Sequence, residues 1–174
     1  MSKDIVWVDI ETTGLDPQVH QIVEIAWGVG TDWWTMVPPH NLWMADPKAL
    51  EINRYHERLL DQAEHADETE IAKLFHDLLG NTMAGANPAF DAKFLEVFLG
   101  ASPWKHRLLD VEAYVAGVFG WDEPRGLKAT REHLVSLGYN ITEPNHSAVE
   151  DAICAQECYL VAQSEALLRA QGTP

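Results

Sequence analysis

The stretch that most restricts this chain lies near its start, where Ile5-Val6-Trp7-Val8 runs into Asp9-Ile10-Glu11-Thr12-Thr13-Gly14. Side chains on a strand alternate faces, so Asp9 and Glu11 point one way and Ile10 the other. Ile5 and Trp7 share the acids' face, and Val6, Val8 and Ile10 line the opposite one. A strand apolar on both faces belongs inside a sheet that is covered on both sides. Two carboxylates at the end of such a strand repel each other by roughly 3 kcal/mol at an effective dielectric near 20. A shared proton, a basic side chain or a metal ion offsets repulsion of this kind. The segment holds no Arg or Lys, which favours a hard divalent cation with oxygen ligands. A solvated pair of acids at an exposed strand end is the competing reading. Gly14 breaks the strand and can take unusual backbone angles or let a ligand approach the backbone.

Composition narrows the class of protein. A chain of 174 residues with 47% apolar residues suits one globular domain, expected over residues 1–174. No apolar run approaches the roughly 20 residues of a membrane helix. Met1-Ser2-Lys3-Asp4 leads straight into the first strand, so no signal peptide and a cytoplasmic location are expected. The formal net charge is −15, from 27 acidic and 12 basic residues. That balance argues against holding nucleic acid mainly by neutralising phosphates. It leaves room for an enzyme that meets phosphate through bound cations, which invert the local charge. Cys154 and Cys158 share a helix face and read as packing residues rather than as a disulfide or a zinc site.

Along the chain, residues 22–29 and 33–37 read as two further strands, pairing antiparallel after the first. Pro47 opens a short helix through Ile52, and residues 55–61 suggest another. Asp67 caps a helix over 68–79, and residues 82–86 read as a strand. Asn87 is a suitable N-cap and Pro88 a first helical residue for a helix to Leu99, with Phe90, Phe94, Leu95 and Phe98 on its apolar side. Asp91 then falls in the first turn, where the helix dipole favours negative charge. Residues 106–109 suggest a short strand, followed by a helix capped by Asp110. Leu127, Thr130, Leu134 and Leu137 mark the core side of the next helix. Ser147-Ala148-Val149-Glu150 has a capping-box pattern for the last helix, which puts Asp151 one turn in and His146 on the loop before it. Gly172-Thr173-Pro174 reads as a frayed end. The expected fold class is α/β: a mixed sheet, a three-strand antiparallel meander plus two further strands, flanked by helices.

Three segments now stand in order: Asp9-Ile10-Glu11-Thr12-Thr13-Gly14, Asn87-Pro88-Ala89-Phe90-Asp91 and His146-Ser147-Ala148-Val149-Glu150-Asp151. Together they resemble the three motifs of the DEDDh family, 3′→5′ exonucleases with an RNase H-like fold that include proofreading exonucleases, RNase T and oligoribonuclease. The resemblance covers residues 5 to about 165. It implies hydrolysis of terminal phosphodiesters of DNA or RNA to nucleoside 5′-monophosphates, on a nucleic acid with a free 3′ end. It also implies two ions, Mg²⁺ or Mn²⁺, with Asp9, Glu11, Asp91 and Asp151 as metal residues. Asp9, Glu11 and Asp151 would hold one ion, Asp9 would bridge to the second, and Asp91 would act on that second ion. His146 would be the general base. Thr13, Gly14 and Leu15 would meet the terminal nucleotide, and Phe90 would line the pocket.

Elementary chemistry agrees with this implied site. Oxygen-only ligands suit Mg²⁺ or Mn²⁺, and an imidazole suits a base near neutrality. Four carboxylates carry −4 and two such ions +4, so the site is neutral before substrate arrives. Two other readings compete, a catalytically silent nuclease-fold module that binds nucleic acid and a subunit that docks on a polymerase. Arg125, Lys128 and Arg131 are spaced to share a helical face that is either solvated or touches phosphates. Trp33 and Trp34 are adjacent, so one is expected to face away from the core, onto nucleic acid or a partner. The oligomeric state is left open.

Overall fold

The computed structural model describes residues 5–172; the expectations for residues 1–4 and for the last two residues lie outside them. The first strand, β1 (Ile5–Thr12), is followed by β2 (Ile22–Val29) and β3 (Asp32–Met36). Two shorter strands, β4 (Thr82–Gly85) and β5 (Leu109–Asp110), complete a five-stranded sheet in the order β3-β2-β1-β4-β5. β2 pairs antiparallel with both β1 and β3, while β1–β4 and β4–β5 are parallel. β1 is therefore the central strand, as its two apolar faces require. Among the described residues, six helices flank it: α1 (Pro47–Ile52), α2 (Glu68–Leu78), α3 (Pro88–Leu99), α4 (Val111–Phe119), α5 (Leu127–Ser136) and α6 (Ala148–Ala170). This is the expected α/β architecture, a mixed sheet with helices on both sides.

Each face of β1 has its own core. Val6, Val8 and Ile10 pack with Ile25, Trp27 and Met83 beneath Leu74 and Leu78 of α2 and Phe94 and Leu95 of α3. Trp7 packs with Val111 and Val115 of α4, Leu134 of α5, and Cys154, Ala155 and Cys158 of α6. Full burial of one such side chain contributes about 1.5–3 kcal/mol, so a β1 shifted by one residue would forfeit both cores. The cysteines are buried and unbonded, in keeping with packing roles. Trp33 and Trp34 depart from expectation because both faces of β3 are covered. Trp34 stacks on Trp27 under Lys73, and Trp33 packs on the α6 side against Gly28, where a Cβ would lie 2.6 Å from its ring.

Other differences have local causes. Residues 55–61 are not a helix: Arg54 and Leu59 take φ of 54° and 56°, and only Leu60–Gln62 forms a 3-10 turn. The short strand expected over 106–109 is Leu109–Asp110, and Asp110 is also the N-cap of α4. Leu137 ends α5 exposed rather than on its core side. Asn87 precedes α3 with φ 49° and makes no side-chain cap. Ser147 precedes α6 without capping it either, because other groups serve that helix end. Among the described residues, no helix is long and apolar enough to cross a membrane.

Candidate active site

The end of β1 is fixed by its turn and by what grips it. Thr13 N donates to Gln21 O at 2.8 Å, and Gln21 N donates back to Thr13 Oγ1 at 2.9 Å. Asp46 N donates to Thr13 O, and the buried Asn53 donates from Nδ2 to Thr12 O. A Cβ at Gly14 would lie 2.4 Å from the His20 ring, so a larger residue there would displace that ring. Leu15 beyond it is 80% exposed, an apolar side chain held at the rim by a rigid turn.

Asp91 reaches this strand end from the first turn of α3. It is 3% exposed, and its Oδ1 accepts a hydrogen bond from Ile10 N at 3.1 Å, between the two acids of β1. Gly85 allows that approach, since a Cβ there would lie 2.5 Å from the Val8 carbonyl oxygen. Asp151 arrives from the first turn of α6. Its Oδ1 accepts from the amides of Asn145 at 2.9 Å and His146 at 3.3 Å, which folds the preceding loop back over the helix start. Ligand atoms of Glu11, His146 and Asp151 lie within 4.8 Å of one another.

The electrostatics are those of carboxylates crowded away from water. Burial, followed by the charges of Asp91, Asp151, Glu11 and Glu24, holds the Asp9 carboxyl well above its usual range. Burial, then Asp151 and Glu24, pushes Glu11 up to about 8, with Arg58 pulling the other way. Burial raises Asp91 to about 7 although backbone amides at Asp91 and Ile10 oppose it. Asp151 is also raised by burial, against the loop amides and the His146 ring. Burial and crowding of this kind favour a bound positive charge. The four carboxylates, with the imidazole beside them, fit a hard divalent cation with oxygen ligands.

His146 differs from the acids. It is exposed and adopts φ 63°, a left-handed conformation that costs a non-glycine residue about 1–3 kcal/mol. Its carbonyl accepts from Arg58 Nη1 at 2.9 Å and its amide donates to Asp151. Arg58 in turn donates from Nη2 to Glu24 Oε1 at 2.5 Å. Glu24 Oε2 accepts from Ala148 N at 3.0 Å, which serves the start of α6 in place of Ser147.

Glu24 and Arg58 join the site without a local motif to mark them. Glu24 is 7% exposed and sits directly opposite Glu11 in the β1–β2 register, beside a bulge between Glu11 and Thr12. Its one legible signal was a lone charge within Ile22-Val23-Glu24-Ile25. Of the other expected contacts, Phe90 packs half buried against Phe94 with ring centroids 5.0 Å apart. The basic trio divides: Arg125 lies over the Trp121 ring, and Arg131 donates to the carbonyls of Ile141 and Thr142, bracing the loop that leads to His146.

Residues 6–159 match the family model described as Exonuclease (RNase_T). The chain belongs to this exonuclease family. A segment of 24 residues is 62% identical to an oligoribonuclease of Photobacterium profundum, covering 14% of this chain and 13% of that protein. Among solved structures, the fold resembles E. coli Exonuclease I in complex with a 5cy-dT13 oligonucleotide. There the TM-score is 0.67 at 17% identity, over 98% of this chain and 43% of that one. It also resembles the 3′-exonuclease seen in 3′-end-specific recognition of a histone mRNA stem-loop. That match has a TM-score of 0.66 at 15% identity, over 93% of this chain and 64% of the other. The chain thus spans less than two thirds of the length of each of these relatives. At such low identities the two structural matches show a shared fold.

Proposed function

We propose that this exonuclease-family chain is a metal-dependent 3′→5′ exonuclease of the DEDDh type. It would act as one domain over residues 1–174, in the cytoplasm, on DNA or RNA with a free 3′ end, and release nucleoside 5′-monophosphates. One observation carries the reading: carboxylates from β1, α3 and α6 meet in a half-buried cluster, with an exposed imidazole within 4.8 Å of two of them. Asp9, Glu11 and Asp151 would hold one Mg²⁺ or Mn²⁺; Asp9 would also meet a second, on which Asp91 would act mostly through water. Two such ions, when bound, supply Lewis-acid stabilisation of the phosphoryl oxygens and of the departing 3′ oxygen.

The chain's own residues do the rest. His146 takes a proton from the attacking water, and its exposed place lets it close on a bound end and then release it. Asp151 accepts the His146 amide, so one carboxylate both holds a cation and locates the base. The turn of Thr13 and Gly14 offers its backbone to the terminal nucleotide, and Leu15 offers an apolar surface to its base. Phe90 contributes a wall rather than a stacking face. A net charge of −15 fits entry of a strand end into a cation-loaded site better than broad phosphate contact.

The test is release of mononucleotides from 5′-labelled single-stranded DNA and RNA with Mg²⁺ or Mn²⁺. A ladder shortening one nucleotide at a time from the 3′ end, absent with chelator, is expected. Binding without cleavage on every substrate would instead mark a silent nuclease-fold module.

A further inference from the structure

We infer that Arg58, held by Glu24, is a positioning residue for His146 and for the start of α6; this rests on the exonuclease reading above. The loop before α6 meets Asp151 through the Asn145 and His146 amides and Arg131 through the carbonyls of Ile141 and Thr142, and none of these contacts holds the His146 carbonyl. Arg58 supplies that hold from a distant part of the chain. Its guanidinium touches His146 O at 2.9 Å, Ser147 Oγ at 3.3 Å and Glu24 Oε1 at 2.5 Å. The two oxygens of Glu24 are thus divided between Arg58 and Ala148 N. Strand β2, the turn at residues 53–59 and the first turn of α6 are bound by one fork-shaped cation and one carboxylate.

The geometry at His146 gives this bracket a task. A left-handed histidine is disfavoured unless its surroundings over-determine it. Here the amide is held from one side by Asp151 and the carbonyl from the other by Arg58, so the peptide groups on both sides of the Cα are fixed. Fixing both fixes the direction in which the imidazole leaves the backbone. The arrangement also settles a conflict in the sheet. Glu11 and Glu24 stand opposite each other across β1 and β2, an unfavourable like-charge pair. Arg58 pairs directly with Glu24, which offsets part of that repulsion, and leaves Glu11 as the carboxylate open to a cation. Its side chain is 19% exposed, which suits a structural clamp more than a free phosphate-binding arm.

Steady-state kinetics of Arg58→Ala, His146→Ala and the double variant test this, with amide hydrogen exchange on the metal-free proteins as a readout independent of activity. Arg58→Ala is expected to lower kcat about 10- to 100-fold through misplacement of the base, with KM within about twofold. In the His146→Ala background the same substitution is expected to cost little further, because the two act through one step. Exchange of the amides of residues 145–148 should rise at least about tenfold while Val8 and Ile25 keep their protection. Glu24→Gln, which keeps shape but weakens the ion pair, should give a smaller loss in the same direction. A raised KM with kcat preserved would make Arg58 a substrate contact and overturn the inference. So would full additivity with His146→Ala, or an unchanged exchange pattern at 145–148. Absence of nuclease activity in the wild-type chain would sink the exonuclease reading alone, and exchange would still decide whether Arg58 holds the loop.

Discussion

The site has two halves built on opposite principles. The acids of β1 and α3 are placed by regular elements over a packed core: Asp9 and Glu11 by a central strand, Asp91 by a helix turn hydrogen-bonded to that strand. The histidine half is a loop, exposed and bent into a left-handed turn, tied down by side chains from elsewhere. Under the proposed function, the difference follows from what each half would do. Cation ligands need fixed separations whether or not substrate is present. A general base needs a fixed direction but also room for a strand end to arrive and leave. Asp151 joins the halves, with a rigid helical backbone and a carboxylate that holds the loop.

Substitutions in the two halves should therefore fail differently. Asp9→Asn removes the proposed bridging ligand, and turnover should fall at least about 10³-fold, measured as mononucleotide release at saturating metal. His146→Ala should lower kcat about 10²- to 10⁴-fold while leaving Mn²⁺ affinity near the wild-type value, measured by metal titration. An equal loss of affinity would move His146 into the ligand set, where its ring nitrogen is close enough to Glu11 and Asp151 to belong.

The acids also give a pH signature of their own. Glu11 has its pKa raised from 4.5 to about 8 and Asp91 from 3.8 to about 7 in the folded chain. The folded state thus binds more protons than the unfolded state between those values, so stability falls as pH rises. The metal-free protein should lose on the order of a few kcal/mol between about pH 5 and pH 8, seen as a Tm lower by several degrees in scanning calorimetry. Saturating Mn²⁺ should flatten this dependence, because the cation takes the place of the protons. The smallest effect belongs to the rim: Leu15→Ala should raise KM a few-fold through lost base contact, with Tm almost unaffected because the side chain is already exposed.

The positions of the five motif residues were legible because each belongs to a short pattern whose local structure sets its direction. A strand alternates, so Asp9 and Glu11 had to share a face. Pro88 starts a helix, so Asp91 had to fall in its first turn. Glu24 and Arg58 were not legible for the same physical reason. Their pairing needs the β1–β2 register and a chain path that brings residue 58 beside residue 146, and no local spacing carries either fact. The misread elements belong with them. Residues 55–61 have helix-forming composition, yet Tyr55 is buried and Arg58 spends its donors on β2 and the histidine loop, so the chain turns instead. Ser147 looked like a cap because its sequence fits one. The start of α6 is served by Glu24 from another strand, which only the assembled sheet supplies.

Under the proposed function, Asp9, Glu11, Asp91 and Asp151 act as one cation-holding unit. The most direct measurement is a calorimetric Mn²⁺ titration of the metal-free wild-type chain and of Asp9→Asn near pH 7, in two buffers of different ionisation enthalpy. Saturable binding that releases protons in the wild type, and is lost or much weakened in the variant, is the predicted result. Binding of equal strength in both proteins, or none in the wild type, would contradict it.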